Sequence, residues 1–334
     1  MTPTKTRRKP TEKAATAEAV LDVREVSVSY GGVRAVDDVS FTAGRGEIIG
    51  FIGPNGAGKT TLFDAICGFV SSEGGRIDLE GREITGLTPT ERARQGLGRS
   101  FQDARLFGSL TVFETLACAF ERHLRAEDPV STMLWLPWVR KGEHKIWARV
   151  EEIIDLMGLG AFRDKFVKEL STGSRRVVDL ACVIAHEPTV LLLDEPSSGM
   201  AQKETEAMGP LLRRVKEATG CTMLLIEHDM PLVTSVSDEL IALETGRVVT
   251  RGKPRDVTND PRVVSAYLGT DERVVARSGV IRTETGRRRV NAKGVNAKGV
   301  NAKPARKSKP ASRKPAKRKP TAKRKPRATK SRSS

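Results

Sequence analysis

The chain has 334 residues and a formal net charge of +17, but the charge is segregated. Residues 270–334 carry 23 of the 58 Lys and Arg and 3 of the 41 Asp and Glu, a net of +20, which leaves residues 1–269 at −3. No run of 18 apolar residues occurs, which excludes a membrane-spanning helix in this sequence, and the scattered Cys67, Cys118, Cys182 and Cys221 argue against a metal knuckle or a disulfide framework.

Residues 1–18 are basic without an apolar stretch behind them, so they read as a disordered arm rather than a secretory signal. Strand-like alternation begins near Val20 and continues through VSFTAG. The apolar run 47–53 has the pattern of a strand buried on both faces. A glycine-rich turn and a helix from Lys59 to Cys67 follow, then a short strand at 76–83 and a helix over 88–96 capped by Thr88 or Thr90. From about 109 to 186 the periodicity is helical, with Ile146, Val150, Ile153, Ile154 and Met157 on one face and a stop at Gly158. Strands at 189–194 and 221–227 flank a helix at 202–218, a short helix follows His228, and a hairpin turns at Thr245-Gly246. Strands alternating with helices imply an α/β fold with a mainly parallel sheet covered on both faces.

Beyond Gly269 the composition changes. VNAKG, VNAKG and VNAKP (290–304) form a five-residue repeat, and Lys-Pro-Ala-Arg sequence runs to Ser334. Too few apolar residues remain to offset the entropy of ordering, so 270–334 is expected to be a disordered basic tail.

Gly53-Pro54-Asn55-Gly56-Ala57-Gly58-Lys59-Thr60 fits G-x-x-x-x-G-K-[ST] between an apolar strand and a helix. Its glycines let the backbone curl so that successive N–H groups face phosphate oxygens, and the helix adds its positive end. Lys59 is expected to reach the β- and γ-phosphates of ATP, Thr60 to ligate Mg²⁺, and Thr61 to donate to a neighbouring phosphate. The second apolar strand ends in Asp194-Glu195, at the carboxyl end of the strand, where doubly wound sheets bind ligands. Asp194 is expected to hold Mg²⁺ and Glu195 to orient or deprotonate the attacking water.

These motifs define a P-loop ATPase, and three others narrow it. The chain resembles ABC transporter nucleotide-binding subunits over residues 20–269: FQDARLF carries Gln102, LSTGS (Leu170 to Ser174) matches the signature motif, and LLIEHDM carries His228. Gln102 lies 43 residues after Lys59, Ser171 lies 23 before Asp194, and His228 lies 34 after Asp194, an ordered set that is family-like. The resemblance implies a P-loop cassette with an N-terminal antiparallel β-subdomain and a helical subdomain at about 109–186. It further implies Gln102 as a Mg²⁺ or water contact, His228 on the γ-phosphate, Tyr30 stacked on adenine with Val36 beside it, and Ser171 and Gly173 facing the γ-phosphate held by a second ATPase subunit. Two integral-membrane permeases, an extracytoplasmic solute-binding protein and a site at the cytoplasmic face of the plasma membrane belong to the same implication. RSFQDARLFGSLTVFETL, the IEHDM segment with its hairpin, and NDPRVVSAYLG look like the branched-chain amino acid (Liv-type) ATPases, and the insert at 123–145, with its STMLWLPWV segment, looks like the larger of their two ATPase subunits.

The sequence departs from the family pattern at Thr172 and Ser174 of the signature, and SSGMAQ after Pro196 lacks an aspartate common elsewhere. The strip around Trp135 and Trp138 is expected to pack on the helical subdomain, with permease contact as the alternative. The tail suits anionic lipid or nucleic acid bound without sequence specificity. The rival function is a non-transport ABC ATPase acting on nucleic acid through that tail.

Overall fold

The computed structural model describes residues 19–101, 106–121 and 137–268. In chain order the strands are β1 (Ala19–Tyr30), β2 (Val33–Gly44), β3 (Ile48–Ile52), β4 (Gly74–Leu79), β5 (Arg82–Glu83), β6 (Leu97–Arg99), β7 (Val190–Asp194), β8 (Thr222–Ile226), β9 (Glu239–Glu244) and β10 (Arg247–Gly252). The α-helices are α1 (Lys59–Cys67), α2 (Pro89–Arg94), α3 (Val112–Phe120), α4 (Pro137–Met157), α5 (Thr172–Ile184), α6 (Gln202–Thr219), α7 (Met230–Val236), α8 (Pro254–Thr258) and α9 (Pro261–Leu268). The N-terminal arm and the basic tail expected from composition lie outside the described residues, as do Gln102 and Trp135. Trp138 falls in α4.

The strands form two sheets. One is antiparallel in the order β2-β1-β4-β5. The other runs β10-β9-β3-β8-β7-β6 and is parallel except for the β9–β10 hairpin. The stretch 76–83 is therefore two strands, β4 and β5, turned by Glu80 and Gly81, both at positive φ.

The parallel strands show why a continuous apolar run was needed. Ile48 and Ile52 of β3 point into one core while Ile49 and Phe51 point into the other. β7 divides in the same way, Leu191 and Leu193 against Val190 and Leu192. Both faces are thus dry, and each strand must be apolar at every position. Gly50 is obligatory on the α7 side: a Cβ there would lie 2.4–2.6 Å from Leu240, Ser237 and Val233 side-chain atoms.

Helices α3, α4 and α5 meet through Leu116, Phe120, Val150, Ile154, Val178 and Ala181, all buried in the first core. Val150, Ile153, Ile154 and Met157 are buried as the periodicity of α4 predicts, and Gly158 ends the helix at φ 68°.

Helix α1 is seated from both sides. Phe63 on α1 packs edge-on against Phe51 at 5.5 Å between ring centroids, and Phe51 packs on Phe41 of β2 at 5.2 Å. At the other end the buried Arg92 donates to the carbonyls of Ala65 and Ile66, both at 2.7 Å, where the helix dipole favours a cation. The loop ahead of α1 is thereby held on a rigid support.

Candidate active site

The phosphate loop leaves β3 at Gly53 and enters α1 at Lys59. Gly53, Gly56 and Gly58 all have positive φ. A Cβ on Gly53 would lie 2.1 Å from the Leu243 carbonyl oxygen and one on Gly58 would lie 2.2 Å from that of Ala35, so only glycine fits where this loop crosses β9 and β2. No side chain caps the first turn of α1, which leaves its N–H groups for an anion. Asn55 and Thr60 are exposed, Thr61 and Pro54 are half-buried, and Ala57 is buried. Lys59 is 6 % exposed, and its ammonium donates to the carbonyls of Gly53 at 2.6 Å and Pro54 at 3.1 Å. Burial lowers its pKa, while the charges of Glu195 and Asp194 raise it.

Two distant segments hold the loop. The hairpin turn Thr245-Gly246 donates Gly246 N–H to the Ala57 carbonyl at 3.0 Å. The hydroxyl of Tyr267 on α9 accepts the Gly53 N–H at 2.6 Å. Tyr267 is half-buried, and desolvation pushes its phenol up to about 12, so the proton stays on at neutral pH. Nothing local in the sequence signals this contact, since the two residues are 214 positions apart.

Asp194 ends β7 at 3 % exposure, and burial raises its pKa. Its Oδ2 pairs with Arg99 at 3.4 Å, while Oδ1 is buried without a hydrogen-bond partner. A buried carboxylate oxygen without a protein partner, on an acid close enough to Lys59 of α1 to raise its pKa, is a hard oxygen donor of the kind that fits a hydrated Mg²⁺. Glu195 follows at φ 49°, a left-handed conformation that costs a non-glycine residue about 1–2 kcal/mol. Its N–H donates to Ile226 and its Oε1 lies 2.8 Å from His228 Nε2.

His228 is exposed at the tip of β8, and the residue before it was not anticipated as part of the site. Glu227 is 2 % exposed. Its carboxylate accepts N–H groups from Ser197 at 2.9 Å, His228 at 3.1 Å and Asp229 at 3.5 Å. It ties the loop after Glu195 to the loop carrying His228. A lone acid within a strand-like run, LLIEH, was the available signal.

Ser171 caps α5, accepting the Ser174 N–H at 3.1 Å, and donates its hydroxyl to Glu204 of α6 at 2.9 Å. Gly173 is buried against the same carboxylate, which a Cβ would approach to 2.4 Å. Glu204 also accepts the Ala201 N–H at 3.1 Å. The departure at SSGMAQ leaves Ala201 at the cap position of α6 without a side-chain cap, and Glu204 reaches back to that residue's N–H.

Tyr30 closes β1 at 51 % exposure, with its ring available for stacking. Val36 is different. It is fully buried in the core between the sheets and offers no surface to a ligand, so the expectation that it packs beside a base is corrected. Val33, paired with Tyr30 across the β1–β2 turn, is 71 % exposed. Gln102 lies outside the described residues.

The ABC transporter family model matches residues 36–198, and the model for branched-chain amino acid ATP-binding cassette transporters matches residues 247–273. The chain is 35% identical over 250 residues to the high-affinity branched-chain amino acid transport ATP-binding protein BraF of Pseudomonas aeruginosa, covering 75% of this chain and 98% of that one. The chain belongs to the ATP-binding subunits of the branched-chain amino acid ABC transporter family. LivG of Salmonella typhimurium is 35% identical over 253 residues, 76% of this chain and 99% of its own. The crystal structure of the ADP conformation of MJ1267, an ATP-binding cassette of an ABC transporter, has a TM-score of 0.64 at 28% identity and covers 75% of this chain and 99% of that one. As a member of this family the chain binds ATP and is an ATPase, and among its described residues no helix is long and apolar enough to cross a membrane. The family models reach both the phosphate loop and α9, the two segments joined by the Gly53–Tyr267 hydrogen bond.

Proposed function

We propose that this subunit, with residues 19–269 as its cassette, hydrolyses Mg²⁺-ATP against a second cassette. The energy drives import of branched-chain amino acids or related small solutes through separate permease subunits at the cytoplasmic face of the membrane. The observation that carries the reading is the convergence, at the carboxyl ends of three neighbouring strands of the parallel sheet, of Lys59 after β3, Asp194 and Glu195 at β7, and His228 after β8.

Adenine stacks on Tyr30. Lys59 and the backbone N–H groups at the head of α1 hold the β- and γ-phosphates, with Thr61 on a neighbouring oxygen. Thr60, Asp194 and Gln102 would hold Mg²⁺, which neutralises charge on the β- and γ-oxygens when bound. Glu195 accepts a hydrogen bond from the attacking water, and His228 steadies the Glu195 carboxylate and the γ-phosphate as charge builds. Ser171 and Gly173 serve the triphosphate of the other cassette: as the pair closes, the Ser171 hydroxyl exchanges Glu204 for a phosphate oxygen. The basic tail is assigned to nonspecific contact with anionic lipid or nucleic acid.

The test is isolation of the tagged full chain from detergent-solubilised membranes. The reading expects two integral-membrane permeases to come with it, and ATP hydrolysis to rise when solute-loaded binding protein is added. Recovery with ribosomes or DNA and without permeases would contradict it.

A further inference from the structure

The strand β6 ends in Arg99, a residue outside the motifs that carry the candidate site but paired with its metal-side acid, Asp194. Its side chain is 9 % exposed. One terminal nitrogen pairs with Asp64 at 2.5 Å and the other faces Asp194 at 3.4 Å, while Nε is buried with no hydrogen-bond partner. Asp64 lies on α1, one helical turn after Thr60 and on the same side of the helix. Asp194 is the carboxylate at the end of β7. The guanidinium therefore bridges the helix that begins at the phosphate loop and the strand that presents the metal-side acid. Two exposed aromatics flank it, Phe69 at 5.6 Å and Phe101 at 5.7 Å from ring centroid to guanidinium carbon. The rings pack edge-on against each other at 5.7 Å and cover the cation.

We propose that Arg99 is a positioning residue for Mg²⁺-ATP: it anchors Oδ2 of Asp194 and the Asp64 carboxylate of α1, so that Oδ1 of Asp194 stays turned to the metal at a fixed distance from Thr60. The inference rests on the ATPase reading above. A carboxylate with one anchored oxygen has one orientation for the other, and that oxygen is the orphaned one. Without the cation, Asp64 and Asp194 face each other as like charges with nothing between them, and Asp194 turns away. Arginine suits the task because its planar fork reaches two acids at once, whereas a lysine ammonium is a point charge on a flexible stem. The Phe69 and Phe101 rings strengthen the pairing by keeping water from it.

The experiment is calorimetric titration of a non-hydrolysable ATP analogue into the full-length chain, with Mg²⁺ and with EDTA. Wild type, Arg99→Gln, Arg99→Lys and Asp64→Asn are compared, with Mn²⁺ in place of Mg²⁺ for electron paramagnetic resonance of the bound metal. Loss of a residue that orients a metal ligand costs about 10- to 100-fold in metal affinity, so Arg99→Gln is expected to lose about tenfold of the Mg²⁺-dependent part of binding. Affinity in EDTA stays within about twofold, Arg99→Lys recovers part of the loss, Asp64→Asn is intermediate, and the Mn²⁺ spectrum of Arg99→Gln broadens. Full Mg²⁺ dependence in Arg99→Gln overturns the proposal. An equal loss with and without metal also overturns it, because that is what a purely structural role produces. If Arg99→Gln does not fold, Asp64→Asn and Arg99→Lys decide by the same criterion. Failure of the ATPase reading itself looks different, since wild type would then show no Mg²⁺-dependent affinity.

Discussion

Glu195 and His228 come from the tips of neighbouring parallel strands and lie 2.8 Å apart, carboxylate oxygen to ring nitrogen. The contact needs both the left-handed backbone at Glu195 and the buried Glu227 that fixes the start of the His228 loop. The pair is assembled by the fold, so its chemistry should be separable from nucleotide binding. His228→Ala is expected to lower kcat by about 10²–10⁴-fold, the range for a removed proton-handling or charge-stabilising group, with ATP affinity within about threefold of wild type. Steady-state kinetics and equilibrium ATP titration check this together.

Glu227→Gln tests the brace beneath that pair. The amide keeps one acceptor oxygen but turns an NH₂ group toward a backbone N–H, leaving at least one donor of Ser197, His228 or Asp229 unpaired. A buried unsatisfied donor costs about 1–3 kcal/mol. The expected result is a fall in kcat of about tenfold with KM for ATP unchanged, and a lower Tm, read by phosphate release and thermal unfolding.

Tyr267→Phe keeps the ring and removes the acceptor of the Gly53 N–H. The variant is expected to lose about 1–2 kcal/mol of stability and to raise KM for ATP a few-fold, with kcat unchanged, because the defect lies in the loop that holds the triphosphate. Chemical denaturation and ATPase kinetics give the two numbers.

The helix carrying Tyr267 has an acid-sensitive start. Asp260 precedes it and accepts the side chain and backbone N–H of Arg262, which lowers its carboxyl from 3.8 to about 2. A carboxyl depressed on folding contributes stability that is present above its unfolded pKa and lost as pH falls through the folded value. The window here runs from about pH 4 down to about pH 2. Asp260→Asn removes this component, so the wild-type advantage in Tm should be constant above about pH 4 and fall away as the pH drops to about 2. An advantage undiminished at pH 2 would contradict the assignment.

The parts of the site that were legible in sequence are those written in contiguous residues. The phosphate loop and the limits of α1 follow from glycine spacing and a bounded apolar strand, and the Asp194-Glu195 pair follows from a strand apolar on both faces. Val36 was misread because β1 and β2 carry register shifts, one of them between Val28 and Ser29, opposite Val36 and Arg34. Val36 and Asp37 are buried in succession there, and a place carried over from the family resemblance takes no account of that local irregularity. Arg99, Glu227 and Tyr267 were not legible for a different reason. Their partners, Asp64 and Asp194, Ser197, and Gly53, are brought to them by sheet order and by docking of α9; the lone acid in LLIEH marks Glu227 as unusual, but no local pattern records which groups these residues meet.

The central claim is that this loop, metal-side acid and Glu195–His228 pair hydrolyse ATP. The direct measurement is phosphate release from Mg²⁺-ATP by the purified full chain, with Glu195→Gln run beside it and bound nucleotide recovered at the end. The account predicts turnover in wild type, a loss of at least about 100-fold in Glu195→Gln, and intact ATP retained on that variant. Undiminished phosphate release from Glu195→Gln, or none from wild type together with its permeases, would contradict it.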